Sequence, residues 1–360
     1  MSAHDLERDG GLTSISSGVE GLDSILCGGF PQHRLHVVEG DPGAGKTTLA
    51  IQFLMSGARQ GESCLFVTLS ESEAELRSFA ATHGWNLEGV EILEIIPSES
   101  SLTPDSRYTM YHPSEIELGE TTRAVLAEAR RLKPKRLVFD SLTGLRVLAD
   151  SPIRYRRQIL ALKQHFGNNG CTVLLVDDRA GEEVDLHLHS VASGVIALEG
   201  ETAEYGTLRR RLHVKKMRGC SFREGYHDFV IRRGGLRVYP RLVASEHRRS
   251  FTSENVSSGL EPLDQLLGGG LARGSSALLV GPAGTGKSAM ATTYAVTAAA
   301  RGERCAMFIF DESLATLLER SRGLGLDVES HVERGALSVR QIDPAEMSPG
   351  EFSHAVRHAV

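Results

Sequence analysis

The strongest constraint on the fold is that the chain repeats itself. Residues 17–48 read SGVEGLDSILCGG, ten further residues, then GDPGAGKTT; residues 258–289 read SGLEPLDQLLGGG, ten further residues, then GPAGTGKSA. The offset is 241 residues without a gap, and 12 of these 32 positions are identical. Gly61/Gly302, Glu71/Glu312 and Gly84/Gly325 keep the same register further on. Chance does not sustain register over such a length, so the chain is read as a duplicated domain. The expected boundaries are 12–243 for the first copy, 244–254 for a polar linker, and 255–360 for a second copy that is incomplete at its C-terminal side. In the first copy GETTRAVLAEARRL leads on to an apolar run at Arg136–Asp140, whereas the second copy reaches GEFSHAVRHAV and the sequence stops. A fragment of a longer protein is therefore expected.

Inside the first copy, short apolar runs rich in β-branched residues alternate with helical segments. The strands expected are Leu35–Glu39, Cys64–Thr68, Glu91–Ile95, Arg136–Asp140 and Thr172–Asp177. The helices expected are Thr47–Gln60, Glu71–His83, Glu115–Arg131 and Ile153–Phe166. This alternation predicts an α/β fold, a mostly parallel twisted sheet with helices on both faces. After Gly194 the pattern changes to consecutive strands, Val195–Leu198, Thr207–Met217, Tyr226–Ile231 and Leu236–Tyr239, with Arg233-Gly234-Gly235 as the last turn.

Composition narrows the class. A 41% hydrophobic and 24% charged chain is an ordinary globular one, which excludes collagenous and disordered proteins. The net charge of −6 gives no basic excess for nucleic acid or an anionic membrane. The N-terminus MSAHDLERDGG has no apolar core of a signal peptide, and runs such as Ser276–Val280 are far shorter than the ~20 residues of a membrane helix. Five scattered cysteines without a CxxC pair suit a reducing cytoplasm, and none has a reactive context.

Two segments carry chemistry. Gly40-Asp41-Pro42-Gly43-Ala44-Gly45-Lys46-Thr47, followed by Thr48, fits GxxxxGK[ST]; so does Gly281-Pro282-Ala283-Gly284-Thr285-Gly286-Lys287-Ser288, followed by Ala289. Each follows an apolar run expected to be a strand and opens a helical segment, the context this phosphate loop requires. Glycines let backbone N–H groups wrap phosphates at a helix N-terminus, where the helix dipole favours negative charge. Lys46 and Lys287 are expected on the β- and γ-phosphates of ATP, with Thr47 and Ser288 on Mg²⁺. Asp140 ends the strand Arg136–Asp140, where a phosphate-loop enzyme places a second metal-site carboxylate. Glu71, and Glu312 in the second copy, lie just past the strand that follows the phosphate-loop helix and are expected to activate the attacking water.

These residues resemble the KaiC-like family of RecA-type P-loop ATPases, which includes a circadian-clock ATPase. The likeness rests on SGVEGLDSILCGGFP, the first phosphate loop, LFVTLSESEAELRSFAATHGW, LVFDSLTGL and KKMRGCSFREGYHDF, and with the second half-copy it covers residues 12–360. The resemblance implies a RecA-like fold, ATP hydrolysis with Mg²⁺, and a homo-oligomeric ring, usually a hexamer, with ATP between subunits. It implies regulatory protein partners of a signalling or clock type, and a serine/threonine autokinase activity in a complete second domain. Lys216 and Arg218 match residues that reach the neighbour's γ-phosphate, the role of an arginine supplied in trans. The family pattern has two adjacent acids after the second strand. Here the first copy has Ser70-Glu71 and the second Asp311-Glu312, a departure at the first site that bears on its hydrolytic rate and not on nucleotide binding.

Two other functions fit a RecA-class chain, a DNA recombinase or helicase and a slow nucleotide-gated binding platform. The acids of Arg179–His187 would repel a phosphate backbone, whereas Arg146, Arg154, Arg156 and Arg157 would attract one. His187 and His189 would share a face of a strand and so begin a metal site, but no Cys or third His lies nearby in sequence and a surface pair is expected. Trp85, opposite Leu326 in the repeat, is expected in the core.

Overall fold

Period-two patterning in the central strands decides the architecture of the first repeat. In Leu35–Gly40, Leu35 and Val37 join one apolar cluster and Val38 the other. Leu65 and Val67 oppose Cys64 and Phe66 in the same way, and Val173 and Leu175 oppose Leu174 and Val176. Strands buried on both faces need helices on both faces. Each fully buried Leu, Val or Phe contributes roughly 1.5–3 kcal/mol to that arrangement.

The computed structural model describes residues 13–95, 113–149, 151–178, 186–247 and 254–359. From Leu35 onward, the elements of the first repeat are β1 (Leu35–Gly40), α1 (Lys46–Arg59), β2 (Cys64–Thr68), α2 (Glu73–Thr82), β3 (Val90–Glu94), α3 (Pro113–Leu132), β4 (Arg136–Asp140), α4 (Leu142–Leu148), α5 (Pro152–Asn168), β5 (Thr172–Asp178), α6 (Leu186–Val191), β6 (Gly194–Glu201), β7 (Arg209–Met217), β8 (His227–Arg232) and β9 (Gly235–Tyr239). They form one nine-stranded sheet in the order β9-β8-β7-β6-β1-β5-β4-β2-β3. The block β6-β1-β5-β4-β2-β3 is parallel, and β7, β8 and β9 extend it antiparallel from β6. α1 lies on one face, burying Leu49, Ile51, Phe53 and Leu54. α5 lies on the other, burying Tyr155, Ile159, Leu162 and Phe166 at helical spacing. The fold is thus the mixed α/β, mostly parallel architecture of a RecA-like phosphate-loop ATPase.

Element boundaries differ from the sequence reading by small, explicable amounts. α2 starts at Glu73 rather than Glu71 because Ser72 caps it. Ser72 Oγ accepts from the Glu75 amide at 3.3 Å, and the Glu75 carboxylate accepts from the Ser72 amide at 2.8 Å. Gly45, at φ 100°, starts α1 at Lys46. The short helices α4 and α6 were not expected, and α6 corrects the reading of residues 187 and 189, which lie on a helix and not on a strand. Trp85 is partly buried against the core and stacks on His83. The loop 98–112 and the segment 179–185 lie outside the described residues.

The chain divides into two compact units, Met1–Ala203 with Leu208–Arg241, and Glu204–Thr207 with Leu242–Val360. The second has a helix at Lys287–Ala300, a parallel strand pair Cys305–Ile309 and Leu337–Gln341, and helices Leu314–Gly323, Val328–Glu333 and Pro349–Ala359. Its expected strand at 276–280 is not formed, and Leu278 and Val280 are more than four-fifths exposed. The reason is register. In the first unit the equivalent β1 is hydrogen-bonded on both sides, to β5 and β6, and the described residues of the second unit supply no strand in either place. Among the described residues no helix is long and apolar enough to cross a membrane.

Candidate nucleotide site

The first phosphate loop leaves β1 and enters α1 at the edge where the parallel strands end. Four strand tips meet there. Gly40 of β1 pairs with Asp178 of β5, and Asp140 ends β4 beside Thr68 of β2. The loop is shaped by its glycines. Gly43 and Gly45 stand at φ 78° and 100°, and a Cβ on Gly40 would lie 2.4 Å from the Leu198 carbonyl oxygen. A Cβ on Gly43 would meet nothing within 4 Å, so the hollow of the loop is open on that side. An α-helix N-terminus, a lysine and an open hollow together suit a phosphate chain.

The side chains around that hollow are coupled. Lys46 is buried, and its Nζ donates to Gly40 O at 2.9 Å and Asp41 O at 2.8 Å, with Asp178 Oδ1 at 2.8 Å. Thr47 Oγ1 donates to Asp140 Oδ2 at 2.7 Å. This hydroxyl–carboxylate pair, brought together from α1 and β4, is the donor set expected for Mg²⁺ beside a phosphate. Burial pushes the Asp140 carboxyl up to about 6. Glu71 and Asp178 push the same way, while the Thr47 hydrogen bond and Lys46 oppose. Glu71 sits on the β2–α2 turn, its amide donating to Thr68 Oγ1 at 3.0 Å and its carbonyl accepting from that hydroxyl at 2.8 Å. Partial burial, then Glu75, holds its carboxyl above the usual range.

The second copy reproduces the loop. Gly284 and Gly286 have φ 80° and 86°, and Lys287 donates to Gly281 O and Pro282 O at 2.8 Å. Glu312 is ion-paired with Arg320, whose Nη2 donates to it at 3.0 Å. Glu71 and Glu312, equivalent in sequence, thus stand in different surroundings.

Lys216 of β7 and Arg218, just past its end, do not meet this hollow through any hydrogen bond described. Lys216 Nζ donates to His189 O, and Arg218 Nη2 donates to Ser190 O at 3.2 Å. Both therefore sit on the carbonyl end of α6, where helix dipoles favour cations. The basic character of β7 also has an anion inside the chain. Lys215 reaches Glu39 at 2.6 Å, and His189 bonds the same carboxylate. Burial opposes the charge of Glu39, and Lys215 and His189 overcome it, holding the carboxyl below the usual range.

The sequence reading missed Glu39, Asp178 and Lys215, and it read His189 as one of a surface pair, whereas its ring bonds the buried Glu39 carboxylate. For Asp178 the available signal was Asp177-Asp178 closing an apolar run, the same cue that selected Asp140. For the others there was none, because their partners come from strand register.

A family model described as "ATPase: KaiC" matches residues 15–243 and 256–355, nearly the whole chain. The chain belongs to the KaiC family of ATPases. It is 28% identical over 341 residues to the circadian clock oscillator protein KaiC of Parathermosynechococcus lividus, covering 93% of this chain and 62% of that one. It is 29% identical over 333 residues to KaiC of Thermosynechococcus vestitus, covering 91% and 63%. To the circadian clock protein KaiC3 of a Synechocystis strain it is 29% identical over 341 residues, covering 93% and 66%. It therefore spans a little under two thirds of the length of these KaiC relatives.

Proposed function

We propose that the chain binds Mg·ATP at both phosphate loops and hydrolyses it, as an oligomeric ATPase of signalling type. Residues 12–243 and 255–360 serve as two ATPase domains, with 244–254 between them. The observation that carries the reading is the 2.7 Å bond between Thr47 and Asp140, set beside Lys46 at an open helix N-terminus. Bound Mg²⁺ would supply charge neutralisation on the phosphates, held by Thr47 and Asp140. Gly40 to Thr48 wrap the phosphates with backbone N–H groups, and Lys46 counters the charge on their outer end. Glu71, raised above the usual carboxylate range, accepts the proton of the attacking water.

Lys216 and Arg218 are assigned to the neighbouring subunit's nucleotide in a ring, usually a hexamer in this family. Their hydrogen bonds in the single chain go to the carbonyl end of α6 and not to the loop of the same chain, which supports that assignment. Glu312, Ser288 and the loop Gly281–Ala289 take the same roles in the second domain. The named relatives are clock proteins, and protein partners of regulatory kind follow from that likeness. The test is nucleotide binding and phosphate release in wild type, Lys46→Ala and Lys287→Ala. Each lysine variant should lose one site, and equal ATP affinity in all three would refute the assignment.

A further inference from the structure

The buried apolar residues of β7 are Leu212, Val214 and Met217, spaced by two and then by three. All three join the same apolar cluster, together with Val38 of β1. A regular strand changes face at every residue, so a step of three cannot return to the same face. The ladder to β6 explains how it does. Val214 pairs with Ile196 and Lys216 with Val195, which leaves Lys215 as the extra residue of a β-bulge. One extra residue flips the faces of everything that follows it. Two consecutive lysines therefore stand on the side of β7 that carries α6. Lys215 Nζ reaches Glu39 Oε1 at 2.6 Å, and Lys216 Nζ donates to His189 O. Arg218, after the inward-facing Met217, returns to that side and donates to Ser190 O at 3.2 Å. With unbroken alternation, Lys216 and Arg218 would follow Leu212 and Val214 onto the apolar cluster instead.

The extra residue has its own anion. Glu39 lies on β1 one residue before the phosphate loop, and its side chain is only 5% exposed. A carboxylate so buried needs paired charge, and Lys215 with His189 supplies it. We propose that Lys215 is a positioning residue for hydrolysis at the neighbouring subunit's site. Pinned to Glu39, it fixes the bulge and with it the face on which Lys216 and Arg218 are presented. The inference rests on the interfacial reading of those two cations given above. Lys215 itself touches no nucleotide, and the placement follows from strand register alone.

The experiment measures ATP turnover, and binding of a non-hydrolysable ATP analogue, by full chains that all carry Lys287→Ala. Lys215→Met should lose turnover ~10²-fold, the cost of a misplaced catalytic group, while its affinity for the analogue stays within about twofold. Lys215→Arg keeps the charge and should keep most of the turnover. Removing one partner of a buried pair can unfold a chain. The double variant Glu39→Gln with Lys215→Met removes both charges and should show the same defect. Mixing, confirmed by native mass spectrometry, separates positioning from general damage. Lys215→Met chains retain Glu71, so they should regain turnover with Glu71→Gln chains and gain none with Arg218→Ala chains. Unchanged turnover in Lys215→Met or the double variant would overturn the inference. So would lost analogue affinity, or a defect that Glu71→Gln chains do not restore. If Glu71→Gln and Arg218→Ala chains fail to complement each other, the interfacial reading falls and this inference falls with it.

Discussion

Asp140 meets opposed demands. Ligating a cation requires its charge, yet burial and the neighbouring Glu71 and Asp178 favour its neutral form and raise the carboxyl from 3.8 to about 6. Between roughly pH 4 and 6 the folded chain holds a proton that the unfolded chain releases. Stability from this group is therefore present below pH 4, falls as pH rises through 6, and is constant above it. Asp140→Asn removes the penalty. Urea denaturation should show it stabilised by about 1–3 kcal/mol at pH 7.5 and by much less at pH 4.5; equal gains at both pH values would contradict this account. In the intact enzyme the same proton competes with the cation, so the Mg²⁺ concentration for half-maximal turnover should rise as pH falls from 7.5 to 5.5. Glu71→Gln keeps its shape and loses its basicity; ATP binding should persist while turnover drops ~10²-fold. Thr47, Lys46 and Asp140 were legible in the sequence because motif spacing reports them. Asp178 and the Glu39–His189–Lys215 cluster were not, because each contact joins different elements through strand register.

At the scale of elements, the loop and the α2 turn are held by local chemistry that mutation can isolate. Ser72→Ala removes the cap of α2 and should cost about 1 kcal/mol. It should also lower turnover more than ATP affinity, because Glu71 sits immediately before that cap. Gly40→Ala drives a Cβ to 2.4 Å from the Leu198 carbonyl between β1 and β6 and should cost about 3 kcal/mol. Gly43→Ala meets no neighbour within 4 Å and pays mainly for its φ of 78°, about 1 kcal/mol. Denaturation midpoints that rank the two glycines the other way would refute the loop geometry. Most strands were readable to within a residue or two because period-two burial on two apolar faces is written into them. The run 276–280 failed for a reason its own residues do not contain: a central strand needs ladders on both sides, and in the second unit none is described there.

For the whole molecule, duplication explains why one chain carries two phosphate loops in one register, and the different surroundings of Glu71 and Glu312 show how the copies diverge. On the proposed function, hydrolysis at the first site joins Glu71 of one subunit to Arg218 of the next. If so, ATP promotes assembly, because interfacial phosphate draws on a neighbour's cations. The decisive measurement is turnover in mixtures of Glu71→Gln and Arg218→Ala chains, every chain also carrying Lys287→Ala, with native mass spectrometry confirming mixed assemblies. Each variant alone should be nearly inactive, since a trans arginine is worth ~10³–10⁵ in rate. Mixing should restore turnover above either parent, because some interfaces then pair an intact base with an intact arginine. Mixed assemblies that never recover activity would contradict an interfacial mechanism, leaving Arg218 to act within its own chain or not at all.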